Sequence, residues 1–227
     1  MTDPRWSTCT VHPGMQNKVD ADSVPVQLAE GWSTTMNEGW SSYFEATKGR
    51  PPQPLLMEGA NYVPSKGAAL DLGSGALQDS IFLLKIGFGH VTALDKELIA
   101  AEVARILPPV RFSYLQSTFE EFVFPERAFE LVNAQYALPF VDPQQFDRVF
   151  RAIVASLKPG GIFTGQIFGD RDEWSDDPGM NFHPINDARA IFSSLDLLEF
   201  REDEEPGKTA MGDTKHWHVF HVIARKP

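Results

Sequence analysis

In "GAALDLGSGALQDS" (residues 67–80), Gly73 and Gly75 lie between two carboxylates, Asp71 and Asp79, and no Lys or Arg occurs from Gly67 to Leu84. An apolar run that ends in Gly-x-Gly just before a helix lets backbone N–H groups approach a ligand closely. Three ligand chemistries compete for such a turn. A phosphate loop needs GxxxxGK[ST], and the lysine is missing. A dinucleotide fingerprint needs G-x-G-x-x-G, but Gln78 stands where the third glycine belongs and Asp79 sets negative charge beside the pyrophosphate. The third is a nucleoside that carries positive charge and no phosphate, for which nearby carboxylates are an asset.

S-adenosylmethionine has that character: its sulfonium, α-amino group and ribose hydroxyls all favour acids. Asp95 ends the next apolar run, 20 residues beyond Gly75, where an acid accepts ribose hydroxyls as donors. Plainer readings stand beside these. Asp71 can simply satisfy N–H groups of the turn, and Asp95, followed by "KEL", can cap the next helix.

Regular elements surround these residues. "AALDL" and "HVTALD" read as strands around a helical "LQDSIFLLKIGF". Helix "ELIAAEVARIL" ends at Pro108 and Pro109; strands "VRFSYL" and "AFELVNA", helix "QQFDRVFRAIVASL" and strand "GIFTGQIF" follow. This alternation predicts a parallel sheet covered on both faces, an α/β Rossmann-like doubly wound fold. After helix "NDARAIFSSL", "DLLEFRED" and "KHWHVFHVIARK" leave no room for a crossover helix, so an antiparallel hairpin closes the sheet. Five parallel strands and a terminal hairpin result. The acidic run "REDEEPGK" (residues 201–208) reads as a solvated loop.

Residues 1–35, rich in Pro, Asp, Ser and Thr, read as an irregular extension, and residues 36–227 as one domain. Within that domain, 36–64 form a helical cover and 65–227 the core. "MNEGWSSYFEATK" forms a helix stopped by "GRPP". The chain has 20 basic and 31 acidic residues, a net charge of −11, and no basic patch, which argues against nucleic acid and anionic membranes as partners. Cys9 is the only cysteine, so no disulfide framework or thiolate metal cage is expected. The first thirty residues lack the apolar stretch of a secretory signal, and the expected setting is cytoplasmic.

"ALDLGSG", "VTALD", "FELVNAQYALPF" and "LKPGGIF" together resemble the ordered motif series of class I S-adenosylmethionine-dependent methyltransferases, over about Tyr43 to Lys226. "YFEATKGRPP", "DS" after the turn, "ALPF", "GDRDEW" and "KHWH" are similar to small bacterial members of the tellurite-resistance and general small-molecule type. The departures are Ser74, where Cys or Thr is frequent, and Leu77, where many members carry Gly or Arg. The resemblance implies a seven-stranded methyltransferase fold, S-adenosylmethionine as cofactor and a small-molecule acceptor. It implies that Asp71, Gly73 and Gly75, with Ser74 and Asp79, line the methionine part, and that Asp95, with Lys96 beside it, takes the ribose. Ser117, Thr118 and Phe119 would flank the adenine; Asn133 and Gln135 would face the methyl group; Gly160 and Gly161 would only shape the fifth strand.

On the acceptor side, Arg171 and Trp174 leave the ligand-facing end of the fifth strand and are candidate substrate contacts. His183 in "GMNFHP" is a candidate for handling a proton, or an exposed loop residue. Trp40, Tyr43 and Phe44 pack a cover over the cleft, and Tyr43 or Arg50 can also touch the cofactor, Arg50 through the methionine carboxylate. Lys215, His216, Trp217 and His218 alternate along a strand, but no acidic ligand set is evident near them and no metal site is expected. Two other readings share the turn: a nicotinamide-dependent oxidoreductase and a non-catalytic cofactor-binding protein.

Overall fold

The computed structural model describes residues 42, 44–97 and 100–227. The expected 1–35 extension, Cys9, Trp40 and Tyr43 lie outside them. Phe44 to Thr47 are helical and the turn closes at Gly49, whose φ of +79° is the left-handed conformation that "GRPP" anticipates. Phe44 is buried against Leu55 and Leu56, the packing role expected of it.

The sheet is built from β1 (Ala68–Leu72), β2 (His90–Asp95), β3 (Phe112–Gln116), β4 (Phe129–Ala134), β5 (Leu157–Gly169), β6 (Phe182–His183), β7 (Asp196–Lys208) and β8 (Thr214–Arg225). Its order is β3-β2-β1-β4-β5-β8-β7, with β6 paired to β5. The first five strands are parallel, and β8 runs antiparallel between β5 and β7. The doubly wound sheet with its closing hairpin is thus the predicted one.

Two features correct the sequence reading. The run 201–208 is not a loop but the outer half of β7, paired with Thr214–His221 of β8. Its acids blunt a sheet edge that would otherwise offer unpaired N–H and C=O groups to another chain. His183 is likewise not in a loop: its backbone pairs with Gly169 at the end of β5, which gives the sheet an eighth strand.

Alternation along the strands feeds two cores. Leu70, Leu72, Val132 and Phe163 face one layer, packed on Phe146, Val149, Phe150 and Ile153 of the long helix Phe146–Ser156. Ala69, Leu131, Val91 and Ala93 face the other, under Leu83 and Leu84 of helix α2 (Gln78–Lys85) and Leu55 and Leu56 of helix α1 (Pro54–Gly59). Burying one such leucine contributes roughly 1.5–3 kcal/mol, so both faces must stay covered. Among the described residues no helix is long and apolar enough to cross a membrane.

β1 lies between β2 and β4, so chain direction across the sheet reverses at β1. In open α/β sheets the crevice beyond the carboxyl ends of the strands at that point is where ligands sit.

Candidate functional site

The turn after β1 is held by left-handed residues: Gly73 at φ +68°, Gly75 at +45° and Leu77 at +63°. A side chain at Gly73 would place its Cβ 2.8 Å from Ala137 Cβ, so glycine is required there by space as well as by φ. At Gly75 a Cβ would meet nothing within 4 Å, so that side of the turn is open. Leu77 adopts a conformation natural to glycine although its side chain is fully buried, a strain of order 1–3 kcal/mol held by the surrounding core.

The turn's donors are largely committed. Gly73 and Ser74 N–H both bond Leu94 C=O (2.9 and 3.1 Å), Gly75 N–H bonds Asp95 Oδ2 (2.8 Å) and Leu77 N–H bonds Ser74 C=O (2.8 Å). A phosphate cradle needs these groups aimed at the ligand. Here they serve β2 and the turn itself.

Carboxylates converge on the same place. Asp71 and Asn133 are register partners on adjacent parallel strands, and Asn133 pairs in turn with Thr164 of β5. Residues in register share a face, which puts a polar row inside an apolar sheet. Asn133 Nδ2 donates to Asp71 Oδ1 (2.8 Å) and Asp79 Oδ2 (3.1 Å), while its Oδ1 accepts from Gln135 Nε2 (2.7 Å) and Thr164 Oγ1 (2.9 Å). All four hydrogen-bonding positions of Asn133 are in use and the residue is fully buried. The resemblance turned Asn133 toward the methyl group; the structure makes it the hub of a network. Gln135 is engaged too, its Oε1 accepting from Gln166 Nε2 (2.9 Å), and Gln166 Oε1 receives Tyr136 N–H (2.9 Å). Tyr136, just past β4, also has a positive φ, +53°.

Asp71 receives Ser80 Oγ–H on its other oxygen (2.6 Å), and Asp79 receives Gln53 N–H (2.8 Å), which ties the entry of α1 to the site. Burial raises the Asp71 carboxyl to about 7, with the neighbouring Asp79 adding to the rise. Burial also raises Asp79, against its hydrogen bonds from Gln53 and Asn133. Asp95 is raised by burial as well, against the hydrogen bonds from Glu97 and Gly75 and the charge of Lys96. Its Oδ1 accepts Glu97 N–H (3.0 Å), the plainer capping contact.

The segment expected at the adenine lies beside these acids. Ser117 N–H bonds Asp95 C=O (3.0 Å), Thr118 Oγ1 accepts Glu121 N–H (3.3 Å), and Phe119 Cζ lies 3.6 Å from the position a Cβ would take at Gly73. The structure thus brings Asp71, Gly73, Ser74, Gly75, Asp79, Asp95, Lys96, Ser117, Thr118 and Phe119 to one end of β1 and β2. Arg50 is placed elsewhere: its Nη2 donates to Ala210 C=O (3.2 Å) in the β7–β8 connection, not to a group of the turn.

The acceptor-side candidates separate. Arg171 is taken up by β7, with Nη2 2.8 Å from Glu202 and 2.7 Å from Glu204, which drives Glu204 down to about 2. An acidic set does therefore stand beside His218, contrary to the sequence reading. Glu202, Glu204 and His218 come together, and the Arg171 guanidinium lies among them as their cation. Trp174 packs over the ammonium of Lys215, whose Nζ lies 3.5 Å from its ring centroid and 3.9 Å from that of Trp217. Lys215 is also paired with buried Asp172. Together with Phe140, Glu173, Asp176, Asp177 and Met180, Trp174 bounds a cavity of about 420 Å³ at the end of β5. His183 packs 5.2 Å from Phe146; its Nε2 is buried without a partner, and burial lowers its pKa against the pull of Asp187 and Asp147.

Sequence reasoning missed Ser80, Thr164, Gln166 and the Asp172–Lys215 pair. Thr164 and Gln166 had a signal, two polar residues at alternate positions of an otherwise apolar strand. Asp172 and Lys215 are 43 residues apart and had none.

Two observations test whether the site suits the expected cofactor. Ser74 Oγ is buried in the turn with no partner, and Asp71 and Asp79 have no cation paired with them among the described residues. Donor set and charge both fit an onium nucleoside. Residues 69–161 match a family model described as a methyltransferase domain. An uncharacterized methyltransferase of Synechocystis sp. is 35% identical over 94 residues, which span 41% of this chain and 43% of that relative, so the chain matches less than half of the relative's length. An S-adenosylmethionine-dependent methyltransferase of Methanosarcina mazei superposes with a TM-score of 0.61 at 19% identity, over 78% of this chain and 99% of that one. TehB of Haemophilus influenzae does so with a TM-score of 0.64 at 15% identity, over 76% and 61%. The structural likenesses show the fold, and the domain match spans the turn, β2 and β4.

Proposed function

We propose that this protein transfers the methyl group of S-adenosylmethionine to a small-molecule acceptor by direct in-line displacement. One observation carries the reading: the turn spends its N–H groups on Leu94 and Asp95, while Asp71 and Asp79 beside it keep no paired cation among the described residues. That arrangement disfavours diphosphates and favours a cationic nucleoside. The cofactor, when bound, supplies an electrophilic methyl group on a positively charged sulfur.

The chain's own residues supply position and a dry setting. Asp95 accepts donors at the ribose position, Phe119 and Ser117 flank the base, and Leu77 and Ala137 wall the turn. Displacement breaks the sulfur–methyl bond and forms the acceptor–methyl bond, and an acceptor hydroxyl or amine gives up a proton to a base or to water. His183, whose Nε2 has no partner, is the candidate base. The net charge of −11 argues against a nucleic acid acceptor.

Incubation with S-adenosylmethionine and a panel of thiols, amines, phenols and soft inorganic nucleophiles tests this. Acceptor-dependent formation of S-adenosylhomocysteine is expected. Cofactor that binds but is never consumed across the panel would point to a binding protein instead.

A further inference from the structure

Two carboxylates share one amide. Asn133 Nδ2 gives one hydrogen to Asp71 and the other to Asp79, at 2.8 and 3.1 Å. Every other partner of the pair is neutral: Ser80 Oγ–H on Asp71, and Gln53 N–H on Asp79. No Lys, Arg or His among the described residues forms an ion pair with either carboxylate. Around Asp71, α2 contributes Ser80 and Asp79, β4 contributes Asn133, and β2 contributes Asp95, so the ionisable neighbours have the same sign as Asp71 itself. Two adjacent carboxylates in a buried place cannot both ionise when only dipoles face them.

We propose that Asp71 and Asp79 hold one proton between them in the free protein, and that capture of the cationic end of the cofactor expels it. Cofactor binding and proton release are then one event, and Asn133 positions the two acids for it. This rests on the functional reading above. The elevation of Asp71 to about 7 by burial and by Asp79 sets the range in which the release is seen. Below that pH the free pair keeps its proton and the ligand must displace it; above it the pair is already charged.

The test is calorimetric titration of the full chain with S-adenosylhomocysteine at pH 6 and pH 7, each in buffers of different ionisation enthalpy. The dependence of the heat on buffer should give close to one proton released per ligand at pH 6 and about half at pH 7, with affinity rising about fivefold between them. Asp79→Asn should lower the release at pH 6, because Asp71 then loses its charged neighbour although burial still raises it. Heats at pH 6 that are independent of buffer while the ligand binds would overturn the inference. So would undiminished release from Asp79→Asn, which would show that the two carboxylates do not act as a pair. No binding at either pH would instead sink the functional reading.

Discussion

The acids at the end of β1 and those on β7 are the same side chains under opposite conditions. Asp71 is buried and Asp79 and Asp95 half-buried, Asp71 and Asp79 are unpaired with any described cation, and all three are pushed up. Glu202 and Glu204 stand on an exposed edge strand with Arg171 laid across them, and both are pushed down. A third case lies between: Asp172 is as buried as Asp71 but has Lys215 beside it. Acid content alone therefore says little. What matters is whether the fold delivers a cation, and at Asp71 and Asp79 no described residue does.

The largest test of this contrast removes the internal cation from the buried pair. Lys215→Met leaves Asp172 sealed without a partner, and urea unfolding should show a loss of about 3 to 5 kcal/mol. A change within experimental error would mean that burial at Asp172 is not as the structure has it. A smaller effect is expected from pH on the ligand-free protein. The folded pKa of Asp71 lies above its unfolded value, so the folded state binds more protons between the two. Stability should therefore fall, on the order of a kcal/mol or two, as pH rises from about 4 to about 7. Stability that rises steadily over that range would contradict the uncompensated cleft. The smallest effect belongs to the edge. Glu204→Gln should leave the unfolding midpoint near neutral pH unchanged, since exposed ion pairs are screened by water, and a clear shift would give β7 a structural weight denied to it here.

Much of this contrast was legible in the sequence on one side only. The turn, Asp71, Asp79 and Asp95 stand out because their chemistry is local: two glycines, a strand end and a 20-residue spacing report directly on a crevice. The alternation of strands and helices likewise encodes the sheet and its closing hairpin. The edge was misread because a run such as "REDEEPGK" has the composition of a loop, and only the twelve-residue pairing with β8 turns it into a strand. The ion pairs of Arg171 went unseen for a related reason. Its partners lie 31 and 33 residues away on β7, and no spacing rule connects them. Asn133 was found but its place as the hub of a network was not, because a residue type does not reveal that all four of its hydrogen bonds are already made.

The central claim is that the glycine turn and its acids take a cationic nucleoside and reject a diphosphate. Equilibrium titration with S-adenosylhomocysteine and, separately, with nicotinamide dinucleotides tests it most directly. Binding of S-adenosylhomocysteine on the order of micromolar is predicted, weakened tenfold or more (about 1.4 kcal/mol) by Asp95→Ala, with no binding of the dinucleotides. A dinucleotide that binds while S-adenosylhomocysteine does not, or an Asp95→Ala protein that binds as tightly as the parent, would contradict the account.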